Sequence, residues 1–191
     1  MVEFPTPTKL METIVKEKAV EGEKKNIVIL IGNYSDSSLM TIRKCLQEVD
    51  SKLNAYKADD IGSEDWITPR QKLHALLSVC NFVIAEDSVP CGEMLELEYC
   101  RHTGAITAIM HTGQRSSFMT LDCDLHSPDF EVFNYNPKNF EETKKTIKQV
   151  LEWVEKTKKR RTDEMQKWTK ELAYTRYCAK ENCKERLKNP N

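Results

Sequence analysis

Two rhythms of apolar residues alternate along this chain. Residues 26–31 (NIVILI) hold five consecutive apolar side chains rich in β-branching, the pattern of a strand buried on both faces. After Gly32 the apolar positions spread to helical spacing at Leu39, Ile42, Cys45, Leu46 and Val49. The same exchange repeats. Residues 53–58 read as a short strand. A helix then starts at Thr68-Pro69, with Thr68 as its cap and Leu73, Leu76 and Leu77 as its stripe. Residues 80–85 (CNFVIA) predict a strand, 93–102 a helix and 105–110 (AITAIM) a strand, with 131–134 as a short final one. From Asn139 a stripe of Phe140, Thr143, Ile147, Val150, Leu151 and Val154 predicts a covering helix. It breaks near 156–161 (KTKKRR) and is followed by a second helix over 163–186. Near the start, Leu10, Ile14 and Val15 suit a short helix over 9–20.

Strands alternating with helices predict an α/β domain, a three-layer flavodoxin-like parallel sheet with helices on both faces and a C-terminal helical extension. The expected organisation is an N-terminal arm over 1–25, the α/β domain over 26–138 and C-terminal helices over 139–191. A chain of 191 residues fits one such domain plus an appendage. Its formal net charge of -1 supplies no global attraction to nucleic acid or an anionic membrane. The basic run at 156–161 reads as a solvated turn, and a nucleic-acid partner is not expected. No apolar run is long enough to span a membrane, and the opening MVEFPTPTKL has no basic segment followed by an apolar one. Seven cysteines, an odd number scattered through apolar segments, point to reduced thiols and a cytoplasmic protein. None is spaced C-x2-C and the four histidines form no cluster, so no metal site is expected.

In a parallel sheet, ligands bind beyond the C-terminal ends of the strands. The polar segments 32–38, 59–65, 86–96 and 111–117 are therefore expected to converge on one edge. The first, IGNYSDSS, lacks the G-x-G-x-x-G and Walker patterns. It offers amides, the hydroxyls of Ser35, Ser37 and Ser38 for a phosphate or sugar, and Tyr34 to stack on a base; a capped turn is the plainer reading. One of Asp59 and Asp60 could hold a ribose diol, or both could be solvated. Arg115 is the better placed of the arginines for a phosphate; Arg43 reads as an exposed helix residue. Cys91 has no histidine beside it in sequence.

The most informative segment runs from Phe82 to Met110. It delivers Glu86, Asp87 and Ser88 at a strand end, turns at Pro90 and Gly92, and enters a helix bearing Glu93, Glu96 and Glu98. Glu93 and Glu96 share a side of the helix, whereas Glu98 faces away. A carboxylate at a helix start beside one from a strand end suits reaction at a sugar C1, although acidic helix starts are also common for electrostatic reasons alone. Leu95 and Tyr99, flanked by Met94 and Leu97, are expected to form the buried stripe beside Glu96.

The stretch Gly92-Glu93-Met94-Leu95-Glu96-Leu97-Glu98-Tyr99-Cys100, with the acidic strand end before it, resembles the nucleoside 2-deoxyribosyltransferase family, with its relatives the nucleotide N-glycosidases and TIR-like domains. The resemblance covers roughly residues 26–112. It implies that Glu96 is the nucleophile, that Asp87 or Glu86 orients it and touches the sugar, and that Gly32 and Tyr34 match the first ligand loop and Asp59 or Asp60 the second. Ser88, Gly92 and Glu93 would line the substrate. The implied substrate is a nucleoside, nucleotide or NAD-like small molecule, with no cofactor, in a homodimer or larger assembly. Two departures stand out: Glu98 occupies a position where the family has a small residue, and 111–129 match no family pattern. The alternative is a non-catalytic TIR-like domain for nucleotide sensing or protein interaction. Trp153, Trp168, Tyr174 and Tyr177 are read as packing residues.

Overall fold

The computed structural model describes residues 26–33, 37–57, 60, 68–88, 93–113 and 127–188; the side chains of Pro69, Glu93, Met94 and 173–188 are outside that description. The N-terminal arm, the helix expected over 9–20, and Tyr34, Ser35, Asp59, Cys91, Gly92 and Arg115 also lie outside the described residues.

Five strands form one sheet: β1 (Ile27–Ile31), β2 (Asn54–Lys57), β3 (Phe82–Glu86), β4 (Thr107–His111) and β5 (Phe130–Asn134). The spatial order is β2-β1-β3-β4-β5, and every neighbouring pair is parallel. The helices are α1 (Ser37–Val49), α2 (Pro69–Val79), α3 (Glu93–Thr103) and α4 (Phe140–Lys188).

Period-two alternation splits the core in two. Ile27, Ile29, Ile31, Val83, Ala85 and Ile109 face α2 and α3, meeting Leu73, Leu76, Leu97 and Cys100. Val28, Leu30, Phe82, Ile84, Ala108 and Met110 face the opposite way, meeting Leu39, Ile42 and Leu46 of α1 and Ile147, Val150 and Val154 of α4. A sheet covered on both faces explains why its inner strands β1, β3 and β4 are fully buried and mostly apolar rather than alternating.

Local signals hold where their chemistry is specific. Thr68 caps α2, accepting from the Gln71 N–H at 3.3 Å while Gln71 Oε1 accepts from the Thr68 N–H at 2.9 Å, a reciprocal capping box with Pro69 in the first turn. Two strands begin two residues later than expected. Cys80 still belongs to the helix end, its N–H donating to Leu76 O at 2.9 Å. Glu86 therefore lies inside β3 rather than after it.

Two further expectations are corrected. No break occurs at 156–161: α4 runs unbroken from Phe140 to Lys188. That stretch contains neither Gly nor Pro, and Lys and Arg are good helix formers, so what ends there is the apolar stripe, not the helix. Nor does the sheet unit stop at 138. The described residues fall into two units that divide between Val154 and Glu155, and the first part of α4 supplies core residues to the first unit. Asn139 Oδ1 caps α4 by accepting from the Glu142 N–H, and Lys144 pairs with Glu48 of α1 at 2.7 Å.

Burial acts on the thiols. Desolvation pushes Cys45 up to about 11 and Cys80 up to about 12, from 9.0. A folded value above the unfolded one means that the folded state prefers the protonated thiol. The stability these groups contribute is complete below the unfolded value and is lost as pH rises towards the folded one. The melting temperature should hold steady up to about pH 8.5 and fall above it. Iodoacetamide at about pH 8 should label Cys45 and Cys80 far more slowly than in urea, as read by peptide mapping. Labelling of both in the native protein at the denatured rate would contradict this.

Candidate functional site

The strand order puts β2 and β3 on opposite sides of β1, so the direction of winding reverses at the C-terminal ends of β1 and β3. Gly32 closes β1 there. Its φ is +145°, and a Cβ at this position would lie 2.9 Å from the backbone oxygen of Glu86 and 3.1 Å from the Glu86 Cβ. Only glycine lets the two strand ends approach so closely.

Two carboxylates leave β3 at this point. Glu86 is 1% exposed and Asp87 0%. Glu86 Oε1 accepts from the Tyr135 hydroxyl at 2.8 Å and from the Ser88 N–H at 3.3 Å. Tyr135 belongs to the core layer of α1 and α4, so Glu86 faces that way. The Asp87 N–H extends the ladder by donating to Met110 O at 3.0 Å, and alternation then turns Asp87 towards the face that α3 covers. The sheet thus separates the two candidates for the acidic strand end: Asp87 is on the side of Glu96, and Glu86 is bonded away from it.

Among the described side chains of α3 the buried ones are Leu97 and Cys100; of the expected Leu95–Tyr99 pair, Leu95 is 71% exposed while Tyr99 packs partly buried against the same core. The Tyr99 ring also meets His74, ring centroids 4.7 Å apart, with the Arg70 guanidinium 5.0 Å from it. Glu96 is half-buried, one turn before Cys100, on the flank of the buried face. Glu98 points outward and pairs along its own helix with His102 at 2.8 Å and Arg101 at 3.3 Å. Glu98 is accommodated near the surface, bonded to Arg101 and His102 of its own helix.

Asp60 and Arg43 bond each other. Their side chains meet at 2.9 Å, and Asp60 also accepts from the Lys57 N–H at 3.0 Å. Arg43 is half-buried, correcting its expected exposure, and Asp60 ties the end of β2 to α1.

Beside the switch point lies a cleft of about 740 Å³ bounded by Ser38, Ser88, Thr112, Asn134, Tyr135 and the turn into α4. Tyr135 forms its inner wall. Burial first, then the Glu86 charge and the bond to it, push the phenol above its ordinary range, while the hydroxyls of Ser38 and Ser88 oppose that rise. His111 is buried nearby, its Nδ1 accepting from the Gly113 N–H at 2.8 Å. Among the described residues, no three His, Cys, Asp or Glu side chains are grouped to hold a metal ion.

Of the expected site residues, the structure brings Gly32, Glu86, Asp87 and Ser88 together, with α3 and Glu96 on the Asp87 face. It gives Asp60 to Arg43. Tyr135, Asn134 and the turn that follows were not anticipated. A readable signal exists: a fifth parallel strand must deliver its last residues to the same edge, and the polar NYNP run stands there. Among the described residues, no helix is long and apolar enough to cross a membrane. No protein-family model matches the chain, and no curated protein matches it by sequence.

Proposed function

We infer that the protein cleaves or transfers the N-glycosidic bond of a nucleoside, nucleotide or NAD-like dinucleotide. What supports this reading is the position of Asp87 at the end of β3, at the β1/β3 switch point, where strand alternation from Glu86 directs it to the face covered by the helix that bears Glu96. The strand order is that of flavodoxin-like doubly wound sheets, whose ligands sit at this point. The resemblance of residues 92–100 to the deoxyribosyltransferase helix supports the same assignment.

In this mechanism a Glu96 oxygen attacks C1 of the sugar. The C1–N bond breaks, its electron pair passes to the base nitrogen, and the base leaves with a proton from solvent or a neighbouring acid. The resulting glycosyl ester is opened at C1 by water, or by the nitrogen of a second base, which restores the carboxylate. Asp87 orients Glu96 and accepts a sugar hydroxyl. Glu86, already bonded to Tyr135 and Ser88, is a positioning residue that fixes the strand end.

A panel of nucleosides, nucleotides and NAD, analysed for free base by chromatography, tests the reading. Base release from at least one member is expected. Intact substrates throughout, with nucleotide binding retained, would favour the TIR-like binding domain instead.

The assembly is a homodimer or larger. Met165, Trp168 and Leu172 lie at helical spacing on one side of α4, with Met165 62% and Trp168 59% exposed. Light scattering should give a mass above the 22.2 kDa of one chain, and Trp168→Glu should lower it. A monomer at high micromolar concentration would contradict self-association.

A further inference from the structure

We propose that the cleft walled by Tyr135 is a binding site for an uncharged, hydroxyl-rich ligand, a sugar ring, separate from the Asp87–Glu96 pair. Neither of those residues borders the cleft. Three observations point to this class of ligand.

First, its polar groups are mixed and built in place. The Tyr135 hydroxyl gives its hydrogen to Glu86, and the buried Ser88 Oγ, on a residue that also borders the cleft, has no hydrogen-bond partner within the protein. The turn beyond it is braced: Asn136 Nδ2 donates to Glu142 at 3.2 Å, its Oδ1 accepts from the Lys138 N–H at 3.1 Å, and its carbonyl accepts from Thr143 Oγ1 at 2.8 Å. Sugar hydroxyls both donate and accept, so they match a lining of hydroxyls, amides and a carboxylate. A braced lining loses little freedom on binding.

Second, the charges at the cleft disfavour an anion. Lys138 and Glu142 both border it. The Glu142 carboxylate, with the buried Glu86 behind Tyr135, opposes an anion there. The start of α4 already has Glu141 and Glu142 in its first turn, so its dipole is answered by the protein's own carboxylates. Third, the Pro137 ring supplies an apolar surface at the rim for the C–H face of a sugar.

The test is a titration of the 15N-labelled full chain with D-ribose, D-glucose and inorganic phosphate, followed by amide resonances. Ribose or glucose at millimolar concentration should shift the amides of Asn134 and Asn136, and phosphate should not. Asn134 is exposed at the end of β5, and replacing it leaves the core intact. Asn134→Ala should weaken the response by roughly tenfold, the worth of one lost hydrogen bond to an amide. Absence of shifts at these amides with either sugar would overturn the proposal. So would phosphate moving them as strongly as the sugars, or an undiminished response in a folded Asn134→Ala protein. The readout is binding alone, so failure of the N-glycosidase reading would leave the cleft assignment standing, and the reverse.

Discussion

Replacing Glu96 by alanine should reduce base release by on the order of a thousandfold or more while leaving nucleotide binding within roughly tenfold of the parent. The asymmetry follows from what the carboxylate does. It makes a bond to C1 that exists only from the transition state onward, so its removal falls on turnover rather than on ground-state affinity. The structure makes the comparison clean. Glu96 sits on the flank of α3, whereas Leu97 and Cys100 carry that helix's buried contacts, so the substitution removes no core packing. Alanine is also the best helix former, so α3 should persist. Glu98→Ala is the matched control: it removes surface pairs with Arg101 and His102, worth little in solvent, and should leave turnover unchanged. Steady-state kinetics on both variants, after circular dichroism shows each folded, check the pair. Full activity in the Glu96 variant would remove the proposed mechanism.

Gly32→Ala should destabilise the fold by about 2–5 kcal/mol, the combined scale of a strained backbone and an overpacked core. The methyl group would meet the Glu86 carbonyl oxygen at 2.9 Å, and that oxygen cannot swing aside as the end of a flexible side chain could. At φ +145° the alanine would also be strained wherever space allowed it. Relief requires the ends of β1 and β3 to part, which would pull on the Tyr135–Glu86 bond. Urea unfolding of the variant measures the loss through its midpoint. A change below about 1 kcal/mol would show that the strand ends separate freely, and that the switch point is not held as described.

The inner strands β1, β3 and β4 were readable because each is buried on both faces, and continuous runs such as NIVILI have few other uses, whereas the edge strands β2 and β5 are only partly buried. Caps were readable where the chemistry is reciprocal, as at Thr68 and Gln71. Strand phase was not: Cys80 is apolar enough to pass for a strand residue, and only the helix-closing bond to Leu76 excludes it. The face of Glu86 follows instead from strand parity: it shares the face of Phe82 and Ile84, away from α3. Leu95 misled for a related reason. An apolar side chain at helical spacing from Tyr99 suggests a stripe, yet α3 turns Leu97, Cys100 and Tyr99 to the core and leaves Leu95 exposed. The long α4 reads as two helices because amphipathicity reports burial rather than helicity, and the stripe fades where the chain leaves the sheet unit. Tyr135 was missed because its role arises from a contact 49 residues away in sequence, with Glu86, which no local pattern records.

The central claim is that Glu96 bonds to the sugar. Intact-mass and peptide analysis of protein mixed with a turned-over nucleoside or nucleotide, then quenched in acid, tests it most directly. The account predicts a gain of one glycosyl group, located on Glu96 within α3 and missing from the Glu96→Ala variant. Base release with the group on another residue, or with no adduct at any quench time, would contradict it.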